Sequence, residues 1–191
     1  MAICNSACAP ALPVSYTGNG CSIIQAPGGI KIFTFVKCDY TFTNISDEQE
    51  WITAIGAGDA VLSGYVLAQK PKGTFTKKRI ASCQPEAVSG AEKTITFQDY
   101  NTDTVTLAPG PFCAAHTFWN TFLTNPGGYR FGYWTCDNQF YGLVNDIQLE
   151  IDEVIEDNNT GSRFFDGTIF WNDITMICPI ALNVDTIING L

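Results

Sequence analysis

Four stretches of this chain carry strand signals, with side chains sorting onto two faces at a period of two, which suits strands and not helices. They are Ile30–Thr43, Glu92–Gln98, Ile147–Ile155 and Arg163–Trp171. In the first, Ile32, Thr34, Val36 and Cys38 share one face, and Phe33, Phe35, Lys37 and Asp39 the other. In the second, Ile95 and Phe97 oppose Thr94 and Thr96. In the third, Ile147, Leu149 and Ile151 form a core face against Gln148, Glu150 and Asp152. In the last, Phe165, Gly167, Ile169 and Trp171 align. A chain with this spacing is mainly β, and the turn residues between runs favour antiparallel neighbours. Ala60–Ala68 reads as a further strand. Tyr129–Thr135 and Phe140–Val144 flank Cys136–Gln139 as a four-residue hairpin loop. The last four runs together predict an antiparallel meander.

Two segments carry helical signals. Ser46 and Gln49 have the spacing of a capping box, and a short helix over about 47–56 follows through Trp51, Ile52 and Ile55, ending at Gly56 or Gly58. Residues 111–124 predict the main helix. Pro111 sits in its first turn, where a missing N–H costs little, and Phe112, Ala115, Phe118, Trp119 and Phe122 form an apolar stripe. His116, the lone histidine, lies in this helix and reads as a satisfied helical residue.

Between strand-like runs lies the stretch Lys70–Ser82, KPKGTFTKKRIAS. It holds five of the ten basic residues: Lys70, Lys72, Lys77, Lys78 and Arg79. It has no clean period and is punctuated by Pro71 and Gly73. It predicts a long extended arm over about 69–91; its thirteen residues, fully stretched, reach up to about 45 Å. A complementary acidic stretch follows later: Glu150, Asp152, Glu153, Glu156 and Asp157. The two together suggest a contact between copies of the chain.

The 191 residues fit one domain: an irregular Cys-, Pro- and Gly-rich segment over 1–29, a β-rich body over 30–180 and a tail over 181–191. The fold expected is an antiparallel β-sandwich or barrel with one packed helix. Charged residues make up 15% against a typical value of about 25%. Phe 13, Tyr 7 and Trp 4 form a heavy aromatic load, and a charge-poor, aromatic-rich surface suits burial in an assembly. A net charge of −9 opposes binding to nucleic acid through phosphate neutralisation, yet lets DNA pass without being held. The start, MAICNSACAPALPV, lacks the basic and apolar regions of a secretion signal. No window suits a membrane span, and the eight cysteines read as reduced thiols.

Catalytic signals are absent. There is no Walker loop, no G-x-S-x-G elbow and no H-E-x-x-H helix. Gly56-Ala-Gly58 lacks the third glycine of a dinucleotide fingerprint. Asp99, Asn101 and Asp103 begin like a calcium loop, but its sixth and twelfth positions hold Thr104 and Gly110. Cys4, Cys8 and Cys21 lack the further ligand of a zinc site. The expectation is a protein with no catalytic residues, metal or cofactor.

The arm KPKGTFTKKRIASCQPE before TITFQDYNTD, the helix HTFWNTFLT and the close FFDGTIFWND with Pro179 beyond are similar in order and character to the tail tube proteins of bacteriophages. The resemblance covers about residues 30–180, and the Cys-rich start departs from it. It implies a virion protein, made in a bacterial cytoplasm, whose subunits form rings, commonly hexamers. The rings would stack into a tube that meets other virion proteins and conducts DNA as passing cargo. Two other readings suit the same composition: a capsid decoration protein, and a β-sandwich glycan-binding module using Trp and Tyr as sugar platforms.

Overall fold

A computed structural model describes residues 29–79, 86–100, 114–156 and 163–191. The elements run β1 (Ile30–Lys37), α1 (Glu48–Ala57), β2 (Ala60–Leu62), β3 (Leu67–Gln69), β4 (Thr74–Lys78), β5 (Ala87–Asp99), α2 (Ala114–Thr124), β6 (Tyr129–Thr135), β7 (Gln139–Val144), β8 (Gln148–Ile155), β9 (Arg163–Asn172), β10 (Ile180–Ala181) and α3 (Val184–Asn189), with a 3-10 turn at Pro126–Gly128. All strands belong to one antiparallel sheet in the order β10-β7-β6-β1-β3-β5-β9-β8, with β2 also on β1 and β4 also on β5. The protein is mainly β, as the period-two runs predict.

The sheet curls over itself without closing. β6 and β9 are four strands apart in it, a separation of about 19 Å if flat. Yet the rings of Phe131 on β6 and Trp171 on β9 have centroids 6.1 Å apart. Phe33 of β1 and Phe97 of β5 meet edge to face at 5.1 Å. The halves therefore face each other like a sandwich around a buried aromatic core, joined at the fold by the short β3. α2 fills the gap between them. Phe122 stacks on Phe35 at 3.8 Å, and Trp119 stacks on Phe97 at 4.9 Å. Trp119 Nε1 donates to buried Asp99 at 2.8 Å, so Asp99 anchors the helix. Asn101 and Asp103, with Pro111–Cys113 at the expected helix start, lie outside the described residues.

The half containing β1, β6 and β7 is covered on both faces. Its outer face packs Ile32, Val36, Trp134 and Phe140 against Trp51 and Ala54 of α1 and Val184 and Ile187 of α3. This explains why β1 carries apolar residues on both sides. The opposite face of the β3-β5-β9-β8 half carries Leu67, Gln98, Asp166, Glu150 and Asp152, all exposed or half-buried.

Several expectations need correction. Residues 181–191 do not form a tail: α3 is capped by the Asn183 side chain and buries Val184 and Ile187. The N-cap of α1 is Asp47, not Ser46. Its carboxylate accepts from Gln49 N at 2.9 Å, and Glu50, not Gln49, reaches back to the N–H groups of Thr43 and Asn44. Ala60–Ala68 is two short strands, because Ser63–Val66 turns the chain from β1 toward β5. The meander is split. β6 pairs with β7 and β8 with β9, but β7 and β8 lie in opposite halves. The pairing rule correctly gave each hairpin but not the crossing at 145–147.

Phe35→Ala removes a side chain 1% exposed that touches both β1–β6 and α2. It should cost about 3–5 kcal/mol in urea unfolding. A Cβ at Gly167 would lie 2.5 Å from the Phe97 ring, so Gly167→Ala should cost about 1–3 kcal/mol in the same measurement.

Candidate inter-subunit surfaces

The basic stretch is a β-hairpin. β3 and β4 run in one direction along β5, first Leu67↔Gln98 to Gln69↔Thr96, then Thr74↔Glu92 to Lys78↔Ala87. KPKG, residues 70–73, interrupts the pairing. Pro71 has no N–H to donate, and a Cβ on Gly73 would lie 2.6 Å from the Glu92 carbonyl oxygen. Pairing of β5 with β9 ends at Glu92↔Asn172, and Ala91 is still buried and accepts from Asp173 N–H, so Ala87–Gly90 with Thr76–Lys78 of β4 project beyond the body as a two-stranded ribbon. All five residues of β4 are exposed. The extended arm thus exists, with Thr74–Lys78 regular where the sequence shows no clean period. A bulge between Thr76 and Lys77 disturbs the register.

The ribbon is tied at its root. Lys70 donates to Tyr133 Oη at 3.2 Å, and its ammonium lies 5.7 Å from the Tyr133 ring and 5.5 Å from that of Trp171. Burial, and then the nearby Lys93 charge, lowers the Lys70 pKa. Lys93 is 8% exposed and donates to the Thr175 carbonyl. The Asp173 carboxyl is held below its usual range, chiefly by the Thr175 hydroxyl and N–H and then by the two lysines.

The basic residues divide cleanly. Lys31 pairs with Asp185, Lys37 with Asp59 and Arg163 with Glu153. Arg130 donates to the Tyr40 carbonyl, and Lys70 and Lys93 are held as described. Lys72, Lys77, Lys78 and Arg79 are exposed and have no ion-pair or hydrogen-bond partner among the described residues. All four belong to the hairpin.

The acidic stretch also divides. Glu150 and Asp152 point outward from β8, which pairs with β9 alone and is an edge of the sheet. Glu153 faces the other way and is engaged within the chain, accepting from Arg163 at 2.6 Å and lying 3.3 Å from His116 Nε2. His116 is therefore satisfied in its helix, as expected, and also contacts the Phe165 ring at 4.9 Å. Glu156 is exposed just past the strand, and Asp157 lies outside the described residues. Asp166 of β9, missing from the sequence reading, stands directly opposite Asp152. Its even spacing from Thr168 and Phe170 was visible, but no linear pattern shows which acid faces it. Like charges so placed repel.

Among the described residues there is no cluster of three His, Cys, Asp or Glu able to hold a metal, and no helix long and apolar enough to cross a membrane. Cys38, Cys136 and Cys178 are exposed free thiols. All four tryptophans are at most 2% exposed.

The hydrogen bonds from Arg163 and then His116 hold the Glu153 carboxyl below the ordinary glutamate value of 4.5. A carboxyl depressed by folding adds stability that is complete above its ordinary pKa and is lost as pH falls through the depressed one. Acid should therefore loosen α2 from β8 below about pH 4.5. In an acid titration followed by near-ultraviolet circular dichroism, Glu153→Gln should flatten that loss.

Comparison with known protein families, with characterised proteins and with solved structures found no match.

Proposed function

We propose that this chain is a non-enzymatic structural protein that assembles with copies of itself through its basic hairpin, as a component of a phage virion such as the tail tube. One observation carries the reading: Lys77, Lys78 and Arg79, the unpartnered cations at the far end of the hairpin, cannot meet the outward acids within one molecule. Both lie along β5, where Lys77 pairs with Val88 and Asp166 pairs with Gln98. Ten residues of strand separate those levels by about 33 Å. A hairpin of unpaired cations and a bare acidic face on one chain form a heterologous pair. Such a contact closes into a ring when its rotation allows and otherwise propagates. Opposite charge steers the encounter and sets its register.

The further details come from the likeness to tail tube proteins: hexameric rings, stacking, contact with other virion proteins and a lumen for DNA. The net charge of −9 suits a wall that lets DNA slide. A capsid decoration protein would use the same surfaces without forming a tube. The glycan-binding reading would have to use exposed tyrosines such as Tyr65 and Tyr100, because each indole is buried.

Native mass spectrometry and negative-stain microscopy test this proposal. The wild-type protein should form rings or tubes that weaken as salt rises. Lys77→Glu, Lys78→Glu and Arg79→Glu together should leave a folded monomer, since all three side chains are exposed. A wild-type protein that stays monomeric at high concentration and low salt overturns the assembly. A compact oligomer of fixed size with no tube favours the decoration role.

A further inference from the structure

Resting on that reading, the geometry points to a specific receptor for the hairpin. We infer that β4 of one copy lies crosswise over four strands of a second copy, with Phe75 on Leu67, Lys77 on Asp166 and Arg79 on Asp152.

On the hairpin, Phe75 and Lys77 share one face of β4, and Arg79 follows at the same two-residue spacing just past its end. They occupy about 13 Å of strand. Phe75 is 47% exposed, and Val88, opposite Lys77, is a second exposed apolar side chain on the ribbon. On the body, the register places Leu67, Gln98, Asp166 and Asp152 in one row running perpendicular to the strands. Four adjacent strands make that row about 14 Å long. Leu67, at one end, is 67% exposed. Asp166 and Asp152 stand at the other.

The row is concave. Leu67, Gln98 and Asp166 line one cleft of about 390 Å³. Asp166 also lines the next, of about 340 Å³, with Glu150 and Asp152. Both surfaces thus run from an apolar end to a charged end, with opposite signs and nearly equal lengths. Long, jointed Lys and Arg side chains absorb the few ångströms of mismatch between a strand repeat and a strand spacing. The opposed Asp152 and Asp166 repel in an isolated copy, and arriving cations remove that repulsion. Outside the hairpin stretch no exposed cation without a partner occurs among the described residues, so the complementary partner is a second copy of this chain.

The test uses two charge-reversed full-length proteins. One carries Asp152→Lys with Asp166→Lys, and the other Lys77→Glu with Arg79→Glu. Each alone should remain monomeric, because its hairpin and row then bear like charges. Mixed in equal amounts they should assemble, since each hairpin meets an opposite row on the other protein. Assembly of the double-lysine protein by itself, or failure of the mixture while wild type assembles, overturns this receptor but leaves hairpin-driven assembly standing. Failure of wild type itself overturns the assembly reading instead. Leu67→Asp provides a check that does not depend on the reversed proteins folding. It should weaken wild-type assembly about tenfold or more, and unchanged assembly counts against the row.

Discussion

β5 holds thirteen residues in one unbroken strand, and three different neighbours share it. Its second half pairs with β9 on one side and β3 on the other, and buries Ile95 and Phe97 in the sandwich core. Before the buried Ala91, its first residues have only β4 beside them. Core packing therefore anchors a lever whose far end stands in solvent. Because the strand is continuous, the hairpin cannot fold back to the face that carries Asp152 and Asp166. The distance between complementary charges follows directly from that rigidity.

The root of the hairpin shows how the sheet holds the lever. Regular pairing stops at Lys70–Gly73, where Pro71 lacks a donor and Gly73 lies against the Glu92 carbonyl. A gap of this kind invites bending. It is stiffened by Lys70 against the Tyr133 and Trp171 rings, which links the segment after β3 to β6 and β9, and by Lys93 on the Thr175 carbonyl, which links β5 to the segment after β9. Among the described residues Trp171 Nε1 has no hydrogen-bond partner, whereas Trp51, Trp119 and Trp134 each have one.

Coverage of the two sheet halves is unequal, and this decides which surface is available to a partner. α1 and α3 cover the outer face of β1, β6 and β7 with Trp51, Val184 and Ile187. α2 fills the gap between the halves with Trp119 and Phe122. No described element covers the outer face of β3, β5, β9 and β8. Glu150 and Asp152 there also blunt the open edge at β8, since charged side chains discourage unselective strand addition. The same side chains thus suit an edge that admits only a cationic partner.

The amino-acid pattern alone determined that the chain is mainly β. Period-two burial is local, so Phe33 and Phe35 opposite Ile32 and Val36 could be read directly. The helix around Trp119 and Phe122, the hairpin at Cys136–Gln139 and the projecting basic stretch were legible for the same reason. Tertiary structure decided everything that depends on which distant residues share a level. α3 escaped notice because two buried side chains, Val184 and Ile187, make too short a stripe to signal a helix. Register between β8 and β9 placed Asp166 beside Asp152, and packing took Lys70 and Glu153 into contacts within the chain. Charge runs read along a sequence give the sign of a surface. Only the fold sorts the side chains that already have partners from those that face outward, because burial and pairing are properties of three-dimensional neighbours.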